Sequence, residues 1–244
     1  MKSKKLKKWT TLLTCATALT VMTACSQSSN QSTGTTSSTT SKTSAVTATT
    51  SKKTNKNSNS NYFTSKDSDT SYNESSATKI KLSGSSADVS GDGAALSGST
   101  VTISKAGTYV ISGKSDGVQI KVDAGDSDDV HIVLDGATMT NTNAAINATK
   151  AGHVYLTLKD GTTNTLSDSS SNSDEDADAV IFSKGDLTIN GSGTLNIDAK
   201  KNNGIKANDS LHITGGTYKI SSVGDAFNVN DELNITGTTM IIEA

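Results

Sequence analysis

Between Ala179 and Ala244 apolar and polar positions alternate in short runs, and the runs recur. Written as AVIFSKGDLTINGSGTLNIDA, GIKANDSLHITGGTYKISS and AFNVNDELNITGTTMIIEA, the segments align on Leu187, Leu211 and Leu233, at steps of 24 and 22 residues. Ile189, Ile213 and Ile235 follow two residues later, Gly191, Gly215 and Gly237 two after that, and Ile197, Ile220 and Ile242 close each unit. Alternation with a period of two places one face of a strand in a core. Lys184-Gly185-Asp186 and Asn190-Gly191-Ser192-Gly193 supply turn residues between such runs. A circuit of this size cannot bury its own inner face, so neighbours must stack. The pattern predicts an all-β chain wound as a right-handed, single-stranded parallel β-helix, with circuits about 4.8 Å apart. The leucine and asparagine spacing of leucine-rich repeats is not present.

Upstream the same grammar is looser. VTISKAGTYVISG from Val101 to Gly113 alternates around a turn, and Val118 to Val122 alternates again. These runs read as first strands that also cap the open end of the stack, since terminal repeats are irregular. Full circuits begin with Val130 to Gly136 and Val154 to Gly161, whose glycines lie 25 residues apart. SDSSSNSDEDAD, from Ser167 to Asp178, then reads as an acidic insertion projecting from one circuit. The sequence ends at Ala244 directly after a strand. An uncovered final circuit exposes unpaired backbone, which leads to the expectation of a piece of a longer protein.

Composition narrows the picture. All 22 basic residues are lysine, and proline is absent, which removes the residue least compatible with stacked strands. Aromatic residues make up 4% of the chain, so the core must be aliphatic and thin. Met1 to Ala24 is lysine-rich, then apolar from Trp9 to Met22, and ends in a small residue before Cys25. That order is a secretory signal and resembles a bacterial lipoprotein signal, which implies lipid on Cys25, a membrane anchor and a cell-surface location. Cys15 follows too short an apolar run to compete. Without the five leader lysines the net charge is −7, a balance that repels nucleic acid and favours cations. Residues 25–77 are rich in Ser, Thr, Asn and Lys and read as a disordered tether with a span of roughly 40 Å. Its aromatic residues Tyr62, Phe63 and Tyr72 read as scattered linker residues. The β-helix is expected over 78–244, as a monomer.

Stacking turns the period into columns. Asp186, Ser210 and Glu232 form one; Gly185, Asp209 and Asp231 form another. At strand spacing Asp186, Asp209, Asp231 and Glu232 are expected to converge, a set of oxygen ligands suited to calcium. The alternative is a solvated polar corner whose Asn and Asp residues serve the turns. Asp174, Glu175, Asp176 and Asp178 form a second, more flexible acidic group. Lys200, Lys201 and Lys206 gather with Asn202 and Asn203 at the next corner, where ammonium and amide groups suit uronate carboxylates and sugar hydroxyls; ordinary solubilising lysines are the other reading. His131, His153 and His212 fall at outward positions of different circuits, with no spacing that unites them. Thr194, Thr217 and Thr239 stack as a column.

LDGATMTNTNAAI, YLTLKDGTTNTLSD, AVIFSKGDLTINGSGTLNI and GIKANDSLHITGGTYKI together resemble the bacterial surface family of carbohydrate-binding domain-containing proteins, over about Lys79 to Ala244. The resemblance implies a calcium-containing parallel β-helix related to pectate lyases that binds cellulose and polygalacturonate. It carries no binding residues over to this chain. Three functions remain open: a non-catalytic, calcium-assisted polysaccharide binder, a pectate-lyase-like or polygalacturonase-like enzyme, and a structural or adhesive surface protein. Lyases of this architecture commonly use an arginine base, and the chain has no arginine. An inverting hydrolase needs carboxylates roughly 6.5–9.5 Å apart, a separation that Asp186 and Asp231 could span.

Overall fold

The computed structural model describes residues 62–244. The expected signal segment 1–24, the expected lipid acceptor Cys25 and the expected tether as far as residue 61 lie outside the described residues. A three-residue 3-10 turn, Lys66–Ser68, precedes two antiparallel hairpins: β1 (Thr78–Gly84) with β2 (Ser86–Ser90), and β3 (Ala94–Ser97) with β4 (Thr100–Ile103). Then come β5 (Gly107–Asp116), β6 (Gln119–Asp123), β7 (Asp129–Thr140), β8 (Ile146–Lys150), β9 (His153–Leu158) and β10 (Thr163–Ser167). The repeats supply β11 (Ala179–Ser183), β12 (Leu187–Gly191), β13 (Thr194–Ala199), β14 (Asn203–Ala207), β15 (Leu211–Ile213), β16 (Thr217–Ser222), β17 (Phe227–Val229), β18 (Leu233–Ile235) and β19 (Thr239–Glu243).

Apart from the two hairpins, the strands pair in parallel and each pairs with its counterpart one circuit away. The result is three walls. Strands β7, β9, β12, β15 and β18 form the first, β10, β13, β16 and β19 the second, and β6, β8, β11, β14 and β17 the third. Strand β7 is 12 residues long and pairs with β9 through its first half and β10 through its second. It bends around the corner and makes the first two walls one strongly curled sheet.

The register matches the alignment of the sequence units. Leu187 pairs with Leu211 and Leu211 with Leu233; Ile197 pairs with Ile220 and Ile220 with Ile242. Their inner faces form one continuous aliphatic core in which Ile189, Leu195, Leu211 and Ile213 have no solvent exposure, each contributing about 1.5–3 kcal/mol. Two aromatic rings join it, Tyr109 and Tyr218, but only the Tyr109 hydroxyl has a partner, donating to Lys105 O at 2.8 Å. In the last circuit the equivalent Leu233 and Ile235 are 41% and 40% exposed, because no further strand lies over them. Gly191 adopts φ +97°, and a side chain there would strike the Leu158 carbonyl of the preceding circuit. The close approach of circuits, rather than the turn alone, demands glycine at that position.

Two features differ from the sequence reading. Residues 62–77, read as part of the tether, lie across the outside of the first wall, with Asp67 buried beneath them. The segment is polar, so its composition suggested disorder; it is ordered because the wall offers it hydrogen-bond partners. The acidic insertion does not project freely: Asp168, Asn172 and Ala177 are buried, and Ala177 packs with Ala144 and Phe182 over the outside of the third wall. Phe182 points outward on β11 and is buried only because this loop covers it.

Candidate functional site

The lysine and asparagine corner is built around Asp178, the last residue of the acidic loop. Its carboxylate accepts from Lys206 Nζ at 2.8 Å and from Asn202 Nδ2. Lys206 Nζ also donates to Asp176 O at 3.0 Å and lies 5.9 Å from the Phe182 ring centroid. Asn203 is 3% exposed, donating to Asp178 O and accepting from the Asp225 amide. The Lys200 amide donates to Asp168 Oδ1 at 2.7 Å, and its ammonium sits 3.5 Å from Asp198. Burial works against the charge on Asp178, but the hydrogen bonds from Lys206 and Asn202 outweigh it and hold the carboxyl below its usual range. Of the five predicted sugar-binding residues, Asn202, Asn203 and Lys206 are therefore occupied in fastening the loop to the next circuit. Lys200 and Lys201 remain at the surface, and Lys201 lines a hollow with Ser170 to Glu175.

The acidic columns form as the period requires, yet their carboxylates do not gather. Asp186 and Glu232 are separated by the circuit that carries Ser210, so they stand roughly 10 Å apart, and Asp186 Oδ1 accepts from the Ser210 amide at 3.0 Å. Asp209 lines a different hollow, with Lys184, Lys150 and Asp126. Among the described residues no group of three or more His, Cys, Asp or Glu side chains is placed to hold a metal ion. The set Asp186, Asp209, Asp231 and Glu232 thus does not fit calcium as a single site.

The histidines, which no spacing united, are brought together by the tertiary structure. In register across the first wall run His131, Tyr155, Thr188, His212 and Asn234, and beside them Val133, Thr157 and Asn190. The His153 and Tyr155 rings stack with centroids 4.1 Å apart and 14° between their planes. Thr157 Oγ1 donates to Asn190 Oδ1 at 2.6 Å, and Thr188 Oγ1 donates to Asp67 Oδ1 at 2.7 Å. Each hydroxyl has one proton, so each must accept from its histidine: His131 Nε2 to Thr157 at 2.7 Å and His153 Nε2 to Thr188 at 2.9 Å. Both rings therefore carry the proton on Nε2. Burial pushes the pKa of both histidines below the ordinary value, which keeps them neutral.

Between this wall and the segment above it opens a cleft of about 270 Å³ lined by Thr64, Asp67, His153, Tyr155, Asp186 and Leu187, with Ser210, His212 and Glu232. Burial disfavours the Asp67 carboxylate, but bonds from Thr188, Thr64 and His212 more than offset this and lower its pKa. The cleft offers an aromatic face, imidazoles, hydroxyls and carboxylates side by side. Such a lining suits stacking and multiple hydrogen bonds to a polyhydroxylated chain.

Fold and wall together define a rigid all-β display surface with rows of polar and aromatic groups. Residues 97–244 match the model of the carbohydrate-binding domain-containing protein family, and the chain belongs to that family. A carbohydrate-binding domain-containing protein of Acetivibrio thermocellus is 37% identical over 137 residues, covering 54% of this chain and 48% of the relative. The chain thus spans about half the length of that relative. The solved structure of the polysaccharide lyase-like protein from C. thermocellum, a gadolinium derivative, superposes with a TM-score of 0.57 at 25% identity, over 69% of this chain and 95% of that one.

Proposed function

We propose that this protein is a non-catalytic polysaccharide-binding lipoprotein of the bacterial cell surface, a monomer held to the membrane through lipid on Cys25. In this reading the chain winds as a right-handed parallel β-helix and presents the first wall to acidic or β-linked glycans such as polygalacturonate or cellulose. The observation that carries the reading is the stacked His153 and Tyr155 pair, with Thr188 and His212 in register beside Tyr155 on the same wall. Family membership supports the same ligand class. The scattered charges at the acidic columns give calcium no gathered site, so the reading assigns binding to the wall alone.

Calorimetry of the folded protein against polygalacturonate and cellulose tests the proposal. Tyr155→Ala is expected to weaken binding about tenfold, equivalent to ~1.4 kcal/mol, the scale of one aromatic stacking contact. Absence of heat with either polymer ends the reading. The lyase-like neighbour keeps an enzymatic alternative in view. Release of unsaturated uronates, followed by ultraviolet absorbance, would replace the binder with a lyase.

A further inference from the structure

Residues 62–77 treat the first wall as a ligand would. Two of the wall's outward donors find the segment's backbone: Asn190 Nδ2 reaches Asp67 O at 3.2 Å and Asp69 O at 3.1 Å, and Thr214 Oγ1 reaches Asp67 O at 2.5 Å. The Asp67 carboxylate takes the Thr188 hydroxyl and lies 3.3 Å from His212 Nδ1. Phe63 meets the His212 ring edge-on at 5.5 Å, Lys66 Nζ sits 4.7 Å from the Tyr155 centroid and pairs with Asp129, and Tyr72 packs edge-on against His131 at 6.0 Å. An acidic sugar chain would bring carboxylate and hydroxyl oxygens to the same donors and C–H faces to the same rings, in place of the segment's carbonyls, carboxylate and side chains. Thr188 and Asn190 have no solvent exposure although both point away from the core, and this segment lies over both.

The attachment is built to open. From Tyr62 to Ser76 only Asp67 is buried, and the sole helical element among the described residues of the segment is its three-residue turn. Its apolar anchorage is small: Tyr72 and Ala77 against Val110 and Val133, and Phe63 against the edge of His212. Few apolar contacts and exposed backbone characterise a segment of low local stability. It forms no strand of the coil, so lifting it breaks no ladder of β5 to β19.

We propose that residues 62–77 are a self-occluding strap, pinned by Asp67, that competes with polysaccharide for the His131, Tyr155, Thr188, Asn190 and His212 wall. The idea rests on the polysaccharide reading above and adds its regulation. An occupied site lowers apparent affinity by the fraction of time it is free. Releasing the strap therefore tightens binding with no new contact to the glycan.

The test uses the full chain and two strap variants that leave the coil untouched, Asp67→Ala and Tyr72→Ser, with circular dichroism to verify the fold. Polygalacturonate affinity is measured by calorimetry, and exchange of the 62–77 amides by mass spectrometry with and without the polymer. The expected result is binding at least tenfold tighter in Asp67→Ala, a smaller gain in Tyr72→Ser, and faster exchange of 62–77 in the wild type when polymer is added. Equal or weaker binding by the variants, with strap exchange unchanged or slowed by polymer, overturns the strap and leaves the binding reading standing. If no form binds although exchange shows the strap open in Asp67→Ala, the polysaccharide reading falls and the strap's competitive role with it.

Discussion

Asn190→Ala separates local from global stability in this molecule. Asn190 has no solvent exposure and makes three hydrogen bonds: two from Nδ2 to the carbonyls of Asp67 and Asp69, and one accepted at Oδ1 from Thr157. At about 1 kcal/mol each, loss of the two strap bonds removes about 2 kcal/mol from closure, roughly a thirtyfold shift in the opening equilibrium. The third bond lies within the coil, so its loss lowers global stability by about 1 kcal/mol, and Thr157 retains His131 as a partner. The carbonyls of Asp67 and Asp69 reach water once the strap lifts, so the penalty does not pass into the core. Hydrogen exchange resolved by peptide reads both quantities. The 62–77 amides are expected to lose at least tenfold in protection, and those of β12 and β15 less than tenfold. Equal loss across strap and coil would refute the reasoning, because the strap would then unfold only with the whole molecule.

Three further outcomes follow from the same geometry. Burial lowers the pKa of His131 and His153 in the folded state, so the unfolded chain binds more protons as pH drops: their contribution is complete above about pH 6.5 and is lost as pH falls through the lowered folded values. Urea titrations from pH 7.5 to 5 should show stability falling by at most about 1.4 kcal/mol per pH unit per histidine, and an unchanged slope in the double variant His131→Asn, His153→Gln would refute the assignment. Tyr218→Phe removes a buried hydroxyl with no partner, whose isolation costs about 1–3 kcal/mol; thermal unfolding should rise by roughly 2–12 °C, and a fall would show that the hydroxyl is satisfied. Asp178→Ala frees Lys206 and Asn202 and should cost about 2 kcal/mol, with faster exchange in the 168–178 loop; unaltered loop exchange would place the anchorage at Asp168 instead.

Much of the coil was legible because its signal is local and repeated. The leucine and isoleucine columns and the threonine column follow from period alone, and the pairings reproduce them. The candidate site was not. Spacing places Asp186, Asp209, Asp231 and Glu232 in adjacent columns but does not fix which way each side chain leaves its turn: Asp186 and Glu232 line one hollow, Asp209 another, and Asp231 neither. Lys206, Asn202 and Asn203 all bond to Asp178, which comes from the preceding circuit and which spacing does not link to them.

By itself the sequence determined the parallel pairing: a period of 22 to 24 residues with alternating apolar positions buries its inner face by setting equivalent strands side by side. Only the tertiary structure decided what covers the outside. Thr188 and Asp67 are separated by 121 positions, and Asn190 and Asp67 by 123. No periodicity links a polar, tether-like segment to the wall it crosses. Inner faces are dictated by hydrophobic burial, which a pattern records; outer faces are settled by hydrogen bonds between distant residues, which it does not.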